Sequence, residues 1–199
     1  MANLILGAVD SNFIGIFLYG SQNYNLNTEN SDRDIIILVK ENKTAKRELG
    51  YDNGVAKIYA LKYFLSRLQK GDMECYEILY TQHRFINQEY EDAFNDFVIN
   101  FTKVINLDRI KYALALKLSE HLSNVCWIPL NRNNEKYHRK RVYWCYRVSD
   151  QLARVIAGED LESTFIYDKN NREELLNIKT TPNYLSLKDL DKDLKRMVA

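Results

Sequence analysis

Proline is nearly absent from this 199-residue chain, with two residues in all, and glycine is sparse at seven. With so few breakers, there is no low-complexity linker, and no internal repeat is visible. The cysteines Cys75, Cys126 and Cys145 are odd in number and widely spaced. No CxxC pair is present, so neither a disulfide framework nor a thiolate zinc site is indicated, and reduced thiols are expected. Net charge is also scarce, at +1. A protein-wide basic field for nucleic acid is thereby excluded, and any basic surface must be local. No apolar run approaches the ~20 residues that cross a bilayer. The start, Met-Ala-Asn-Leu-Ile-Leu-Gly, lacks the basic region and long apolar stretch of a signal peptide. A cytoplasmic protein without a membrane partner is expected. No GxGxxG or GxxxxGK[ST] string occurs, which rules out Rossmann and P-loop phosphate sites.

What remains is an ordinary globular composition, 46% hydrophobic and 28% charged, and a clear change of period along it. Phe13-Ile-Gly-Ile-Phe-Leu-Tyr19 is a β-branched and aromatic run that stops at Gly20. Ile35-Ile-Ile-Leu-Val39 is apolar throughout, as in a strand buried on both faces. Val55 to Ala60 reads as a third strand after a turn at Asp52-Asn-Gly54. From Leu61 the period becomes helical: Leu61 to Leu68 ending at Gly71, Met73 to Tyr80, Tyr90 to Phe101, Ile110 to Val125, Tyr137 to Ala157 capped by Gly158, and Arg172 to Lys179 before Pro182. Strands first and helices after predict an α/β (α+β) core over 1–85 and a helical region over 86–199 packed on it.

The segment richest in chemistry runs from Leu18 to Asp34. A strand ends at Gly20-Ser21, a mostly polar stretch of nine residues follows, and Ser31-Asp32-Arg33-Asp34 opens the buried strand. Residues i and i+2 of a strand point to one face, so Asp32 and Asp34 present two carboxylates side by side. Their repulsion is relieved by a divalent cation, and hard oxygen ligands suit Mg2+ (or Mn2+). Gly20 lets backbone approach phosphate closely, and Ser21 offers a hydroxyl and an N–H at a strand-to-helix turn. Either motif alone is weak, since an isolated Asp-x-Asp at a strand start is ordinarily a solvated turn. The combination, each half abutting an apolar strand, is far more specific.

Gly-Ser, a spacer, then Asp-x-Asp before a hydrophobic strand resembles the signature of the DNA polymerase beta superfamily of nucleotidyltransferases. The fuller string Gly-Ser-x-x-Tyr-x-Leu-x-Thr-x-x-Ser-Asp-x-Asp is similar to a narrower bacterial and phage branch linked to RNA repair. Ile58 to Phe64, Glu77-Ile-Leu79, the basic helix from His138 and Arg172 to Lys179 also look like that branch. The resemblance implies a minimal nucleotidyltransferase mixed sheet with a helical C-terminal region. It further implies transfer of a nucleoside monophosphate, AMP from ATP first, to an acceptor hydroxyl such as an RNA 3′ end. Gly20 and Ser21 would bind the triphosphate and Asp32 and Asp34 would ligate Mg2+. Tyr24 matches a family position without an assigned role.

One departure stands out. The superfamily usually has a third carboxylate on a neighbouring strand, but Val55, Lys57 and Tyr59 on one face and Ala56, Ile58 and Ala60 on the other supply none. Asp52 falls in the turn, and Glu74 and Glu77 fall on a later helix. A Lys57 ammonium aimed at Asp32 and Asp34 would instead make a nucleotide- or partner-binding protein without catalysis, so that reading stays open. So does nucleotidylation of a protein or small molecule. Further along, Lys140, Arg147 and Arg154 recur every seven residues, with Trp144 and Gln151 beside them. Lys140 and Arg147 are candidates to bind triphosphate or RNA phosphates, with Trp144 or Tyr143 to stack a base. Val142, Cys145, Leu152 and Ile156 are assigned to packing. His83, His121 and His138 fit no metal spacing and read as structural, and Cys75 lacks a histidine partner.

Overall fold

The computed structural model describes residues 12–29, 31–41, 44–51, 54–127, 135–167, 169–181, 189 and 192. The chain divides into two compact units, Met1–Asn106 and Leu107–Ala199. The first is a mixed five-stranded sheet with helices. The second is helical, so the fold is α+β with a helical C-terminal region.

In the first unit, β1 (Phe13–Leu18), β2 (Ile35–Val39), β3 (Lys46–Tyr51), β4 (Gly54–Ala60) and β5 (Arg84–Ile86) stand in the order β3-β4-β2-β1-β5. β2 is central, antiparallel to β1 and parallel to β4. Burial on both faces explains its unbroken Ile-Ile-Ile-Leu-Val run, in which Ile36, Ile37, Leu38 and Val39 are all buried. At about 1.5–3 kcal/mol for each fully buried aliphatic side chain, this strand anchors the unit. Two strands go beyond the sequence expectation. β3 is polar, Lys-Arg-Glu-Leu-Gly-Tyr, because it is an exposed edge beside β4. β5 is only three residues long, pairs with β1, and closes the other edge. The predicted turn residues Asp52 and Asn53, and Pro182, lie outside the described residues.

Register assigns the two sheet faces. Ile37, Val39, Ala56 and Ile58 form one core cluster, joined by Phe13, Ile16, Ile35, Leu49 and Tyr51. Alternation puts Phe17, Tyr19, Asp34, Ile36, Leu38, Lys57 and Tyr59 on the opposite face. Helices α1 (Leu61–Gln69) and α2 (Met73–Tyr80) follow β4 directly. Asp72 caps α2 by accepting the Cys75 N–H at 3.3 Å. Helix α3 (Glu91–Lys103) brings Phe94 against Phe17, ring centroids 5.3 Å apart.

The second unit contains α4 (Leu107–Trp127), α5 (Glu135–Ile156), the short α6 (Leu161–Thr164) and α7 (Lys169–Thr180). α5 packs against each of the others. It buries Val142, Tyr143, Cys145, Tyr146, Val148 and Val155. Ile156, expected on the packing face, is instead 63% exposed, because the helix ends there and Gly158 turns the chain away with φ +86°. No described helix is long and apolar enough to cross a membrane.

Candidate active site

The Gly-Ser turn is built by backbone bonds and two buried anchors. Tyr19 N–H donates to the Asp34 carbonyl at 3.1 Å, tying the end of β1 to the start of β2. Gly20 then takes φ +72°, a left-handed conformation that a side chain would strain. A Cβ at Gly20 would meet nothing within 4 Å, so the glycine is there for conformation and faces open space. The chain winds through Asn25, with Tyr24 N–H donating to the Gly20 carbonyl and Leu26 N–H to the Ser21 carbonyl. It does not continue as the helix that the sequence suggested, because Asn25 is also left-handed at φ +59°. Tyr24 and Leu26 are buried, which gives Tyr24 a role as the anchor of this turn.

Asp34 stands where three strands meet. Its Oδ1 accepts the Val55 N–H at 3.1 Å, so β4 fixes the carboxylate just ahead of β2. Gly54 makes this approach feasible, since a Cβ there would come within 2.6 Å of the Arg33 carbonyl oxygen. Asp34 is half-buried, and Asp32 two residues earlier is exposed. Gly20, Ser21 and Asp34 are thus brought to one end of the sheet by paired strands.

Lys57 lies on the same sheet face, but its ammonium is committed elsewhere. Its Nζ donates to both carboxylate oxygens of Glu74 at 2.8 Å and lies 4.8 Å from the centroid of the Tyr19 ring. The Tyr59 hydroxyl donates to the same carboxylate at 3.0 Å. Burial works against charge on Glu74, but the Lys57 ammonium and the bonds from Lys57 and Tyr59 outweigh it and hold its carboxyl below the ordinary range. Burial, then the charges of Asp34, Glu74, Glu77 and Glu48, push the Tyr19 phenol well above its usual value. Tyr19 therefore stays neutral amid carboxylates.

Glu74 and Glu77 are the site residues whose place sequence reasoning missed. Both reach the sheet from α2. Glu77 is 4% exposed, and its Oε2 accepts the Gly20 N–H at 2.9 Å. A readable signal existed, because Glu77 sits inside the wholly buried run Cys75-Tyr-Glu-Ile-Leu79, and a carboxyl there needs a partner. Among the described residues, no group of three or more His, Cys, Asp or Glu side chains is placed to hold a metal ion. Asp32 and Asp34 remain a pair of hard oxygen donors.

The basic helix belongs to the second unit. Lys140 is exposed with its Nζ 5.5 Å from the Trp144 centroid, and Arg147 is half-buried with its guanidinium 6.0 Å from the Tyr143 centroid. Arg154 is structural. It donates to the carbonyls of Ser163 (2.8 Å) and Ile166 (3.3 Å) and to Glu159 (2.6 Å). His121 lies tilted against Trp144 with ring centroids 5.2 Å apart, and burial, with Lys117 and Arg147 nearby, pulls its pKa down to about 4. The Cys75 thiol is buried and pushed up by that burial, unlike a nucleophile's. A cleft of about 830 Å³ lined by Lys40, Ala60, Leu61, Tyr63 and others lies at the far end of β2 from Asp34. It includes none of Gly20, Ser21, Asp32 or Asp34.

No curated protein matches the chain. Among solved structures, a nucleotidyltransferase-like protein from Exiguobacterium sibiricum 255-15 is similar at 10% identity over 99% of this chain and 71% of that one. Its TM-score is 0.38, too loose a likeness to bear on the fold or the site. The sequence itself decides the family. The model described as a nucleotidyltransferase domain matches residues 3–142, well over half of the chain and all of the Gly-Ser and Asp-x-Asp segment, and the chain therefore belongs to the nucleotidyltransferase domain family.

Proposed function

We propose that this protein transfers a nucleoside monophosphate, AMP from ATP, to an acceptor hydroxyl, with an RNA 3′ end as the favoured acceptor. Asp32 and Asp34 would hold Mg2+ (or Mn2+). The donor set fits such an ion: two carboxylates two residues apart, one oxygen of Asp34 fixed by the Val55 N–H, and hard ligands throughout. A bound divalent cation would supply charge neutralisation for the triphosphate and a more acidic acceptor hydroxyl. The remaining work falls to the chain. The open turn at Gly20 and Ser21 presents a hydroxyl and an N–H to phosphate oxygens. Asp34, held between β1 and β4, keeps its carboxylate still as charge builds. The acceptor oxygen bonds to the α-phosphorus as the bond to pyrophosphate breaks, and the acceptor proton leaves to solvent.

The observation that carries this reading over a binding-only one is the direction of Lys57. The binding-only reading expects its ammonium at Asp32 or Asp34, whereas its ion pair is with Glu74 at 2.8 Å. RNA is favoured as acceptor by the local basic and aromatic face of α5, Lys140 over Trp144 and Arg147 over Tyr143. Calorimetry of ATP binding with and without Mg2+, on wild type and Asp32→Asn/Asp34→Asn, tests the reading. Binding that needs both Mg2+ and the aspartates is expected. Binding indifferent to both would return the protein to the binding-only class.

A further inference from the structure

Glu77 is a buried carboxyl in a helix whose neighbours are apolar. Cys75, Tyr76, Ile78 and Leu79 around it are all buried, and an unpartnered polar group there would be costly. Its Oε2 accepts the N–H of Gly20, 57 residues earlier in the chain, at 2.9 Å. That N–H belongs to the residue with φ +72° on which the Gly-Ser turn pivots. On the preceding residue, Tyr19 N–H is tied to Asp34. The turn is therefore held at successive amides, one by the strand that carries the aspartates and one by helix α2. Without the second tie, a left-handed glycine with open space before it would be pliant.

We propose that Glu77 is a positioning residue that clamps Gly20 and so aims the Ser21 hydroxyl and N–H at the triphosphate. The proposal rests on the nucleotidyltransferase reading of this site. It also changes one expectation within it: the Gly20 N–H serves the clamp, and phosphate is met by Ser21 and the backbone beyond. What Glu77 contributes is an acceptor of the right reach, a property that glutamine shares and leucine lacks.

The test compares wild type, Glu77→Gln and Glu77→Leu in the full chain. Gly20 follows the only Tyr-Gly step among the seven glycines, so carbonyl-13C tyrosine with 15N glycine labels its amide alone. That amide is expected to be protected from exchange in wild type and Glu77→Gln and to lose protection in Glu77→Leu. Affinity for ATP with Mg2+ is expected to fall about tenfold in Glu77→Leu and to stay within about threefold in Glu77→Gln. An unchanged Gly20 amide in Glu77→Leu overturns the clamp. Full ATP affinity in that variant overturns its role in aiming Ser21. Loss of ATP binding in a folded Glu77→Gln does the same, and this arm remains if leucine prevents folding. A wild type that fails to bind ATP at all overturns the transferase reading, while the Gly20 amide still decides the clamp.

Discussion

The two units handle charge in opposite ways. In the first, carboxylates gather at one end of a sheet and are fixed by the backbone or by one cation: Asp34 by Val55, Glu77 by Gly20, Glu74 by Lys57. In the second, cations dominate α5 and lie over aromatic rings or against carbonyl oxygens, as Lys140, Arg147 and Arg154 do. The first arrangement calls for an incoming cation, the second for an incoming anion. The largest expected effect breaks the first half. Asp34→Asn keeps an oxygen for the Val55 N–H, so the fold should hold, yet transfer from labelled ATP should fall by about 10³-fold or more. Turnover near wild type would mean that Asp34 is no more than a strand-opening residue.

Next in size is a change in the second unit that should not touch chemistry directly. Arg154 is 16% exposed and joins Glu159 to the carbonyls of Ser163 and Ile166. Removing it in Arg154→Ala leaves those carbonyls to water and the half-buried Asp150 without its nearby cation at 3.9 Å. A loss of about 2–3 kcal/mol in denaturant unfolding is expected. Arg154→Lys should recover little, because an ammonium cannot span the same fork of acceptors. A neutral Arg154→Ala would show that α5 is held by apolar packing alone.

Much of this contrast was readable in the sequence, and what was missed has a physical cause. The all-apolar β2 is legible at Ile35–Val39 because burial on both faces leaves no other composition. Helix α2 is legible at Met73–Tyr80 from its period and its Gly71 boundary. β3 is not, since an edge strand facing solvent carries Lys46, Arg47 and Glu48, and β5 is too short to show a period. The Asp-x-Asp string is visible in the sequence because its residues are neighbours along the chain, directly ahead of β2. The partners of Glu74 and Glu77 lie 17 and 57 residues away, and only the docking of α2 on the sheet brings them there. Ile156 was misread because helical period alone does not say where a helix ceases to be covered.

Glu74→Gln sharpens the comparison further. The folded state holds the Glu74 carboxyl below its ordinary value of 4.5. The stability it contributes is therefore present above that value and lost as pH falls through the folded pKa. Wild type should lose about 1 kcal/mol below pH 4.5, a modest figure because Glu74 is 41% exposed, and Glu74→Gln should show a flatter acid limb. Freed from Glu74, Lys57 could turn toward the aspartates, so Mg2+ dependence of ATP binding should weaken in this variant. An unchanged acid limb would mean that the Lys57–Glu74 pair contributes nothing net.

The smallest effects belong to the basic helix, and they decide how far the second unit takes part. Lys140 is exposed and rests on Trp144, so Lys140→Ala should leave stability within about 0.5 kcal/mol. Arg147 is half-buried beside the buried Tyr143 ring, so Arg147→Ala should cost about 1 kcal/mol from lost packing. If these cations meet phosphates, each substitution should weaken ATP or RNA binding about three- to tenfold and lower the slope of affinity against salt by roughly one charge. The pair separates two causes: a drop in affinity in Arg147→Ala alone would follow its stability, whereas a drop in Lys140→Ala at unchanged stability would point to a phosphate contact. If Lys140→Ala leaves both affinity and salt slope unchanged, the cations of α5 are a solvated and packed face, and recognition of the nucleotide rests on the Gly-Ser turn and the aspartates of the first unit.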